Sequence, residues 1–161
     1  MTCRILKLET FQQVEELLQR YLSMRIRKDA PQAFIEHLTQ RRDSWFVEVE
    51  DVGLIYLTNV IPTWSAVLNV LFWDGRLGKE RREVLREVLN FAFTEFQLLR
   101  VQATVSADNT PLQTFYEKSG MCVEGVLRNA WRDEEGLQNI VLLSLVPEEV
   151  ESWQATKISL D

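Results

Sequence analysis

The stretch SAVLNVLFWDGRLGKERREVLREVLNFAFTEFQLLRVQATVS, Ser65–Ser106, sets a strand, a loop, a long helix and a second strand in one order. Ser65 to Trp73 is β-rich and nearly continuous in apolar residues, the pattern of a strand central in its sheet. Asp74-Gly75 stops it. From Lys79 to Phe96 the period changes: Val84, Leu85, Val88, Leu89, Ala92, Phe93 and Phe96 share one helical face, with Glu83, Arg86 and Glu87 on the other. Arg100 to Ser106 then predicts a strand.

Towards the C-terminus, Thr110-Pro111 opens a short helix through Lys118, and Gly120 stands where a left-handed C-terminal cap belongs. Val123 to Trp131 and Leu137 to Val146 read as two long antiparallel strands around a turn at Asp133-Glu134-Glu135-Gly136, and Pro147-Glu148-Glu149 opens a terminal helical segment. Towards the N-terminus, Ser44–Glu50 and Gly53–Val60 are β-rich runs joined at Asp51-Val52-Gly53, a hairpin or short meander that Pro62 and Thr63 end. Before them come a strand from Cys3 to Glu9, a helix from Phe11 to Met24 and a second helix from Asp29-Ala30-Pro31 to Arg41-Arg42. No repeat or linker interrupts the order, so one mixed α+β domain over 1–161 is expected.

The 161 residues are 46% hydrophobic and 26% charged, with six glycines and four prolines. That balance excludes disorder and fibre and suits a domain burying roughly 70% of its unfolded surface. Eighteen Lys and Arg against 24 Asp and Glu leave a net charge of -6. This field speaks against nucleic acid, whose phosphates need a basic face, and suits a cationic or amine partner. No apolar run nears the ~20 residues of a membrane span, and Met1-Thr2-Cys3-Arg4-Ile5 carries no apolar leader, so no membrane association and a cytoplasmic location are expected. Cys3 and Cys122 stand in apolar company and are expected as buried thiols without a disulfide. His37 is the sole histidine, too few for a structural zinc site.

The order of elements, together with Arg100-Val101-Gln102-Ala103-Thr104-Val105, Asn109, Phe115-Tyr116-Glu117-Lys118-Ser119-Gly120-Met121 and Glu124-Gly125-Val126-Leu127-Arg128, resembles the GNAT superfamily of N-acetyltransferases. Within it, the series is similar to the branch that includes ribosomal-protein N-terminal acetyltransferases, with Met121 where that branch has Phe. The resemblance implies a single-domain acyl-CoA N-acyltransferase fold: a central mixed and largely antiparallel twisted sheet flanked by helices. It implies transfer of an acetyl group from acetyl-CoA to a primary amine of a small molecule or protein N-terminus, without a metal. Tyr116 matches the tyrosine that protonates the departing thiolate, and backbone N–H groups around Leu71, Phe72 and Trp73 would meet the oxyanion. Leu77, Gly78, Lys79, Glu80, Arg81 and Arg82 would hold the cofactor, with Asn109, Tyr116 and Lys118 beside it.

The cofactor loop departs from the family. Its pattern is Arg/Gln-x-x-Gly-x-Gly/Ala, whose glycines let free N–H groups and the positive end of a helix approach a pyrophosphate. Here those positions carry Leu77, Glu80 and Arg82. A glutamate ~5 Å from a phosphate would cost about 3 kcal/mol at an effective dielectric near 20; Lys79, Arg81 and Arg82 can outweigh it if Glu80 faces solvent. Like charges at Arg82/Arg86 and Glu83/Glu87 do not brace the helix from within, which leaves room for an anionic ligand. The alternative is a non-catalytic acetyltransferase-like protein that has lost this loop and binds a partner, including a second copy along its strands.

Single residues carry two readings each. Asn109 is a ligand-facing amide at a strand's carboxyl edge or the cap of the next helix. Tyr116 is a proton donor or an amphipathic core residue. Asp74 and Glu48 are the candidate general bases, and each is also an ordinary loop or surface carboxylate. Trp73 follows the central strand and can line the site, whereas Trp45, Trp64, Trp131 and Trp153 read as core or partly exposed packing and His37 as a surface residue.

Overall fold

The computed structural model describes residues 2–6, 16, 19, 43–72 and 74–151. Along it run β1 (Cys3–Leu6), β2 (Trp45–Val49), β3 (Gly53–Ile61), β4 (Ser65–Phe72), α1 (Lys79–Phe96), β5 (Arg100–Ser106), α2 (Thr110–Lys118), β6 (Cys122–Asp133), β7 (Gly136–Leu145) and α3 (Pro147–Glu151). The expected helices at Phe11–Met24 and Asp29–Arg42 lie outside the described residues, apart from the helical positions Glu16 and Gln19; His37, Trp73 and Trp153 lie outside them too. Seven strands form one mixed sheet in the order β1-β2-β3-β4-β5-β7-β6.

The described residues form two compact units. One holds everything up to Val60 together with Leu68–Arg76; the other holds Ile61–Val67 and everything from Leu77 onward. In the first, β1, β2 and β3 pair antiparallel around buried Cys3, Val47, Val49, Leu54, Ile55 and Leu57. Phe46 stacks on Tyr56 with ring centroids 5.4 Å apart. Burial pushes the Tyr56 phenol up to about 12. Gly53–Thr58 is buried residue after residue, so the strand covered on both faces is β3. Ser65 to Trp73 is read from the sequence as a strand central in its sheet, and the strand order bears that out. β4 occupies the middle of the strand order, but only Ala66, Leu68 and Phe72 are buried. Its other face includes Asn69, whose amide donates to the Thr58 hydroxyl at 3.4 Å.

In the second unit, β4 pairs in parallel with β5 over Ser65–Val67 and Arg100–Gln102 only, short of the ends of both strands. The intervening α1 is the crossover that parallel neighbours need. Val84, Leu85, Val88, Leu89, Ala92 and Phe93 bury its apolar stripe, and fully buried leucines such as Leu85 and Leu89 stabilise by about 2 kcal/mol each. Val101, Ala103 and Val105 of β5 and Val141, Leu143 and Leu145 of β7 supply the sheet side of this core. β6 closes the sheet as its edge, nearly every residue exposed. Cys122 is therefore exposed, a correction to the buried thiol expected from its apolar neighbours; Cys3 is buried, and neither forms a disulfide.

Candidate active site

The loop after β4 begins as a tight turn. The Gly75 N–H donates to the Phe72 carbonyl at 3.1 Å, Gly75 adopts φ +65°, and Asp74 Oδ1 accepts the Arg76 N–H at 3.0 Å. At β4's end Phe72 is buried and Leu71 half-buried. Gly53 lies against this backbone: a Cβ there would collide with the Leu71 carbonyl oxygen and stand 2.8 Å from Phe72 Cα. Trp73, expected beside them, is outside the described residues.

Gly78 caps α1 in extended conformation, φ -90° and ψ 175°, and as a glycine brings no side chain to bond the first turn. The Gly78 carbonyl accepts the Arg82 N–H at 3.2 Å, so the helix starts cleanly and its leading N–H groups face outward along the axis. A Cβ added at Gly78 meets nothing within 4 Å. This end of α1 thus offers backbone donors, the positive end of a helix dipole and open space, which together fit an anion such as a phosphate group.

The side chains around it divide. Glu80 is exposed, as the cofactor reading requires; Lys79 is exposed and pairs with Glu83 at 3.7 Å, four residues on. That pair corrects the reading that helix-internal pairing leaves the cluster unbraced, although with both side chains wet it is worth only a few tenths of a kcal/mol. Arg82 and Leu77 are half-buried. Arg81 is buried, on the stripe of Val84, Leu85 and Val88, so it does not stand with Lys79 and Arg82 in front of the helix.

On α2, Asn109 is the cap: its Oδ1 accepts the Leu112 N–H at 3.2 Å, while its own N–H donates to the Ser106 carbonyl at 2.9 Å. Gln113 Nε2 ties the helix back to the strand end, donating to the carbonyls of Ser106 at 3.1 Å and Ala107 at 2.9 Å. Tyr116 is buried and tilted against Phe115 at 5.8 Å, and Lys118 is exposed. Gly120, at φ +105°, closes the helix as its composition predicts.

Arg86, read from the sequence as solvated helix face, reaches across from α1 to α2. Its Nη2 donates to the Lys118 carbonyl at 2.8 Å and its Nε to the Ser119 carbonyl at 3.2 Å. The structure thereby brings the second turn of α1 to the end of α2 that carries Tyr116 and Lys118. Asn109 lies at that helix's other end, roughly 13 Å away for nine residues. Of the candidate bases, Asp74 is engaged in its turn with Arg76 and Glu48 is half-buried on β2. Among the described residues no group of His, Cys, Asp and Glu is placed to hold a metal, and no helix is long and apolar enough to cross a membrane.

No family model matches the chain, and no curated protein matches its sequence. Solved structures do match. A single-site mutant of the spermidine N-acetyltransferase SpeG from Vibrio cholerae superposes with a TM-score of 0.71 at 18% identity, covering 94% of this chain and 98% of that one. A chimera of the Vibrio cholerae enzyme with hSSAT gives 0.72 at 17%, covering 94% and 100%. The dodecameric Vibrio cholerae enzyme in an intermediate state gives 0.70 at 17%, covering 94% and 96%. At this identity the likeness is one of fold, and the fold is that of the GNAT acetyltransferases, as the sequence reading expects.

Proposed function

We propose that this chain is an acetyl-CoA-dependent N-acetyltransferase, one domain over 1–161, acting on the primary amine of a small molecule. The observation that carries the reading is the amino end of α1, capped by a glycine instead of a bonding side chain and open beside Gly78. Leu77, Gly78, Lys79, Glu80 and Arg82 would hold the diphosphate of acetyl-CoA, chiefly through backbone N–H groups, with Arg81 anchoring the turn from within. Asn109 and Lys118 complete the proposed binding set.

Acetyl-CoA supplies the thioester carbonyl that the amine attacks. Backbone N–H groups at Leu71, Phe72 and Trp73 are assigned to the oxyanion. Tyr116 holds the proton for the leaving sulfur. A phenol near pKa 10 donating to a thiolate whose conjugate acid is near 8.5 has little driving force, so its contribution is tens-fold to thousands-fold.

The acceptor is narrowed by charge and by likeness. Neighbours of the same fold acetylate spermidine, and a net charge of -6 attracts a polycation. The comparisons lend the ribosomal-protein branch no support, so a small amine is favoured over a protein N-terminus. An alkylamine with a pKa near 10.4 needs a base, for which Asp74 and Glu48 remain the candidates. Two cysteines outside any disulfide suit a reducing, cytoplasmic setting.

The test pairs two measurements, melting temperature against acetyl-CoA concentration and thiol release with spermidine, other small amines and N-terminal peptides. A rising melting point with turnover on small amines supports the reading. Leu77, Glu80 and Arg82 favour the second reading, a non-catalytic binding protein; neither a shift at millimolar acetyl-CoA nor turnover would establish that one. Self-association is proposed with either, supported by the apolar side chains exposed on β6 and by the dodecameric neighbour.

A further inference from the structure

We propose that Arg86 is a positioning residue for Tyr116, a role that rests on the proton-donor reading of Tyr116 above. The carbonyls that close α2 can be accounted for one by one. Phe115 O accepts the Ser119 N–H at 3.0 Å and the Ser119 hydroxyl at 2.7 Å. Tyr116 O accepts N–H groups from Ser119 at 3.0 Å and Met121 at 3.1 Å, and Glu117 O accepts the Gly120 N–H at 2.9 Å. The next two carbonyls, of Lys118 and Ser119, lie past the reach of these local bonds, and Arg86 takes both. Helix ends leave such carbonyls to water unless something claims them. Here the claimant comes from another helix, 32 and 33 residues away in sequence.

The chemistry suits arginine alone. Nε and Nη2 form one side of a rigid planar fork, spaced for two neighbouring oxygens, and the charge is permanent and favourable at the negative end of a helix. Lysine has the charge without the fork. The base of the side chain is fixed as well, because Val84, Leu85, Val88 and Leu89 around it on α1 are buried. The last turn of α2 is thus clamped to a rigid element, and Ser119, whose carbonyl Arg86 holds, is the residue whose N–H and hydroxyl hold Phe115 and Tyr116. Releasing the clamp loosens the turn from which the Tyr116 ring projects. A displacement near 1 Å at a reacting group can cost about a hundredfold in rate.

The experiment is a double-mutant cycle with Arg86→Met, Tyr116→Phe and both together, and with Arg86→Lys as the conservative variant. All are assayed with acetyl-CoA and spermidine well below each variant's melting point. Arg86→Met is expected to lower kcat roughly tenfold to a hundredfold, to leave the KM for acetyl-CoA within about twofold, and to have no further effect once Tyr116 is Phe. Arg86→Lys should fail to restore kcat. Hydrogen exchange gives a second readout independent of turnover: the Gly120 and Met121 amides should exchange faster in Arg86→Met while Leu89 stays protected. Equal losses of kcat in both Tyr116 backgrounds, rescue by lysine, or unchanged exchange at Gly120 and Met121 would each overturn the proposal. If Tyr116→Phe alone leaves kcat intact while exchange responds to Arg86→Met, the proton-donor reading is what fails, and the positioning role falls with it.

Discussion

Arg100 and Glu124 meet in a two-pronged ion pair, Nη1 to Oε1 at 2.6 Å and Nη2 to Oε2 at 2.7 Å, although β7 runs between their strands. From that middle strand the Ser144 hydroxyl donates to the same Oε1 at 2.6 Å. One carboxylate therefore fastens three strands beside the register shift between Val123 and Gly125. Bidentate contact of this kind is the strongest form of surface pairing.

The pair should be visible in acid. The Arg100 hydrogen bonds, then that of Ser144, hold the Glu124 carboxyl down at about 2 against an ordinary value of 4.5. A carboxyl depressed in the folded state stabilises fully above its unfolded pKa, and that contribution is lost as pH falls through the folded one. Between pH 4.5 and about 2 the wild-type protein should lose stability more steeply than Glu124→Gln, measured by urea midpoints across that window. Parallel curves would show that the bond carries no linked protonation.

How much of this was legible depends on how local the cause is. The bounds of α1 and α2 coincide with the reading because their signals are local: apolar side chains at helical spacing from Val84 to Phe93, Asn109-Thr110-Pro111 at one helix start, Gly120 beyond its end. Arg81, which the sequence reading places with the cofactor cluster, carries a local signal for burial that goes unused: it precedes Val84 and Leu85 by three and four residues and so shares their face. Cys122 was not legible, because its exposure follows from β6 being an edge, a fact of strand order. Arg86 and Gly53 were hidden for the same reason: carbonyls 32 residues on and a strand end at Leu71 impose their roles, and nothing adjacent marks either.

Gly53→Ala should be disproportionately harmful for one methyl group. Its Cβ would meet the Leu71 carbonyl and Phe72 Cα, which are backbone and cannot swing aside. Relieving the clash means moving the end of β4, at a cost of about 2–3 kcal/mol. If Leu71 and Phe72 also orient oxyanion donors, kcat should fall in the folded fraction. A melting point within about a degree of wild type would contradict the close approach.

The two adjacent arginines of α1's first turn should behave differently. Arg82→Ala, at a half-buried position beside the proposed diphosphate site, should weaken acetyl-CoA binding with little change in melting temperature. Arg81→Ala, on the buried stripe, should lower the melting temperature and leave affinity within about twofold. Glu80→Gln should tighten binding several-fold, in proportion to the charge repulsion it relieves. Calorimetry on the three variants separates the effects, and uniform weakening by both arginine changes would mean that Arg81 faces the ligand after all.

The edge hairpin offers the last test. Val123, Val126, Leu127, Trp131 and Leu137 are each about half exposed or more, five of the eight large apolar side chains so exposed among the described residues. Such concentration on one hairpin marks a contact surface more than scattered exposure does. The edge itself is blunted: between Leu127 and Trp131 the register shifts, Asn129 turns to φ +53°, and its N–H is taken by Asn139 Oδ1 at 2.9 Å. Strand-to-strand extension through that bulge is disfavoured, so a second copy would pack on side chains. Leu127 and Trp131 pair with Ile140 and Gln138 of β7, two residues apart, which sets them on one face. Leu127→Asp combined with Trp131→Glu should therefore reduce the sedimenting mass while leaving the melting temperature nearly unchanged, because neither side chain belongs to the core. A wild-type chain that sediments as a monomer at assay concentration would rule this surface out.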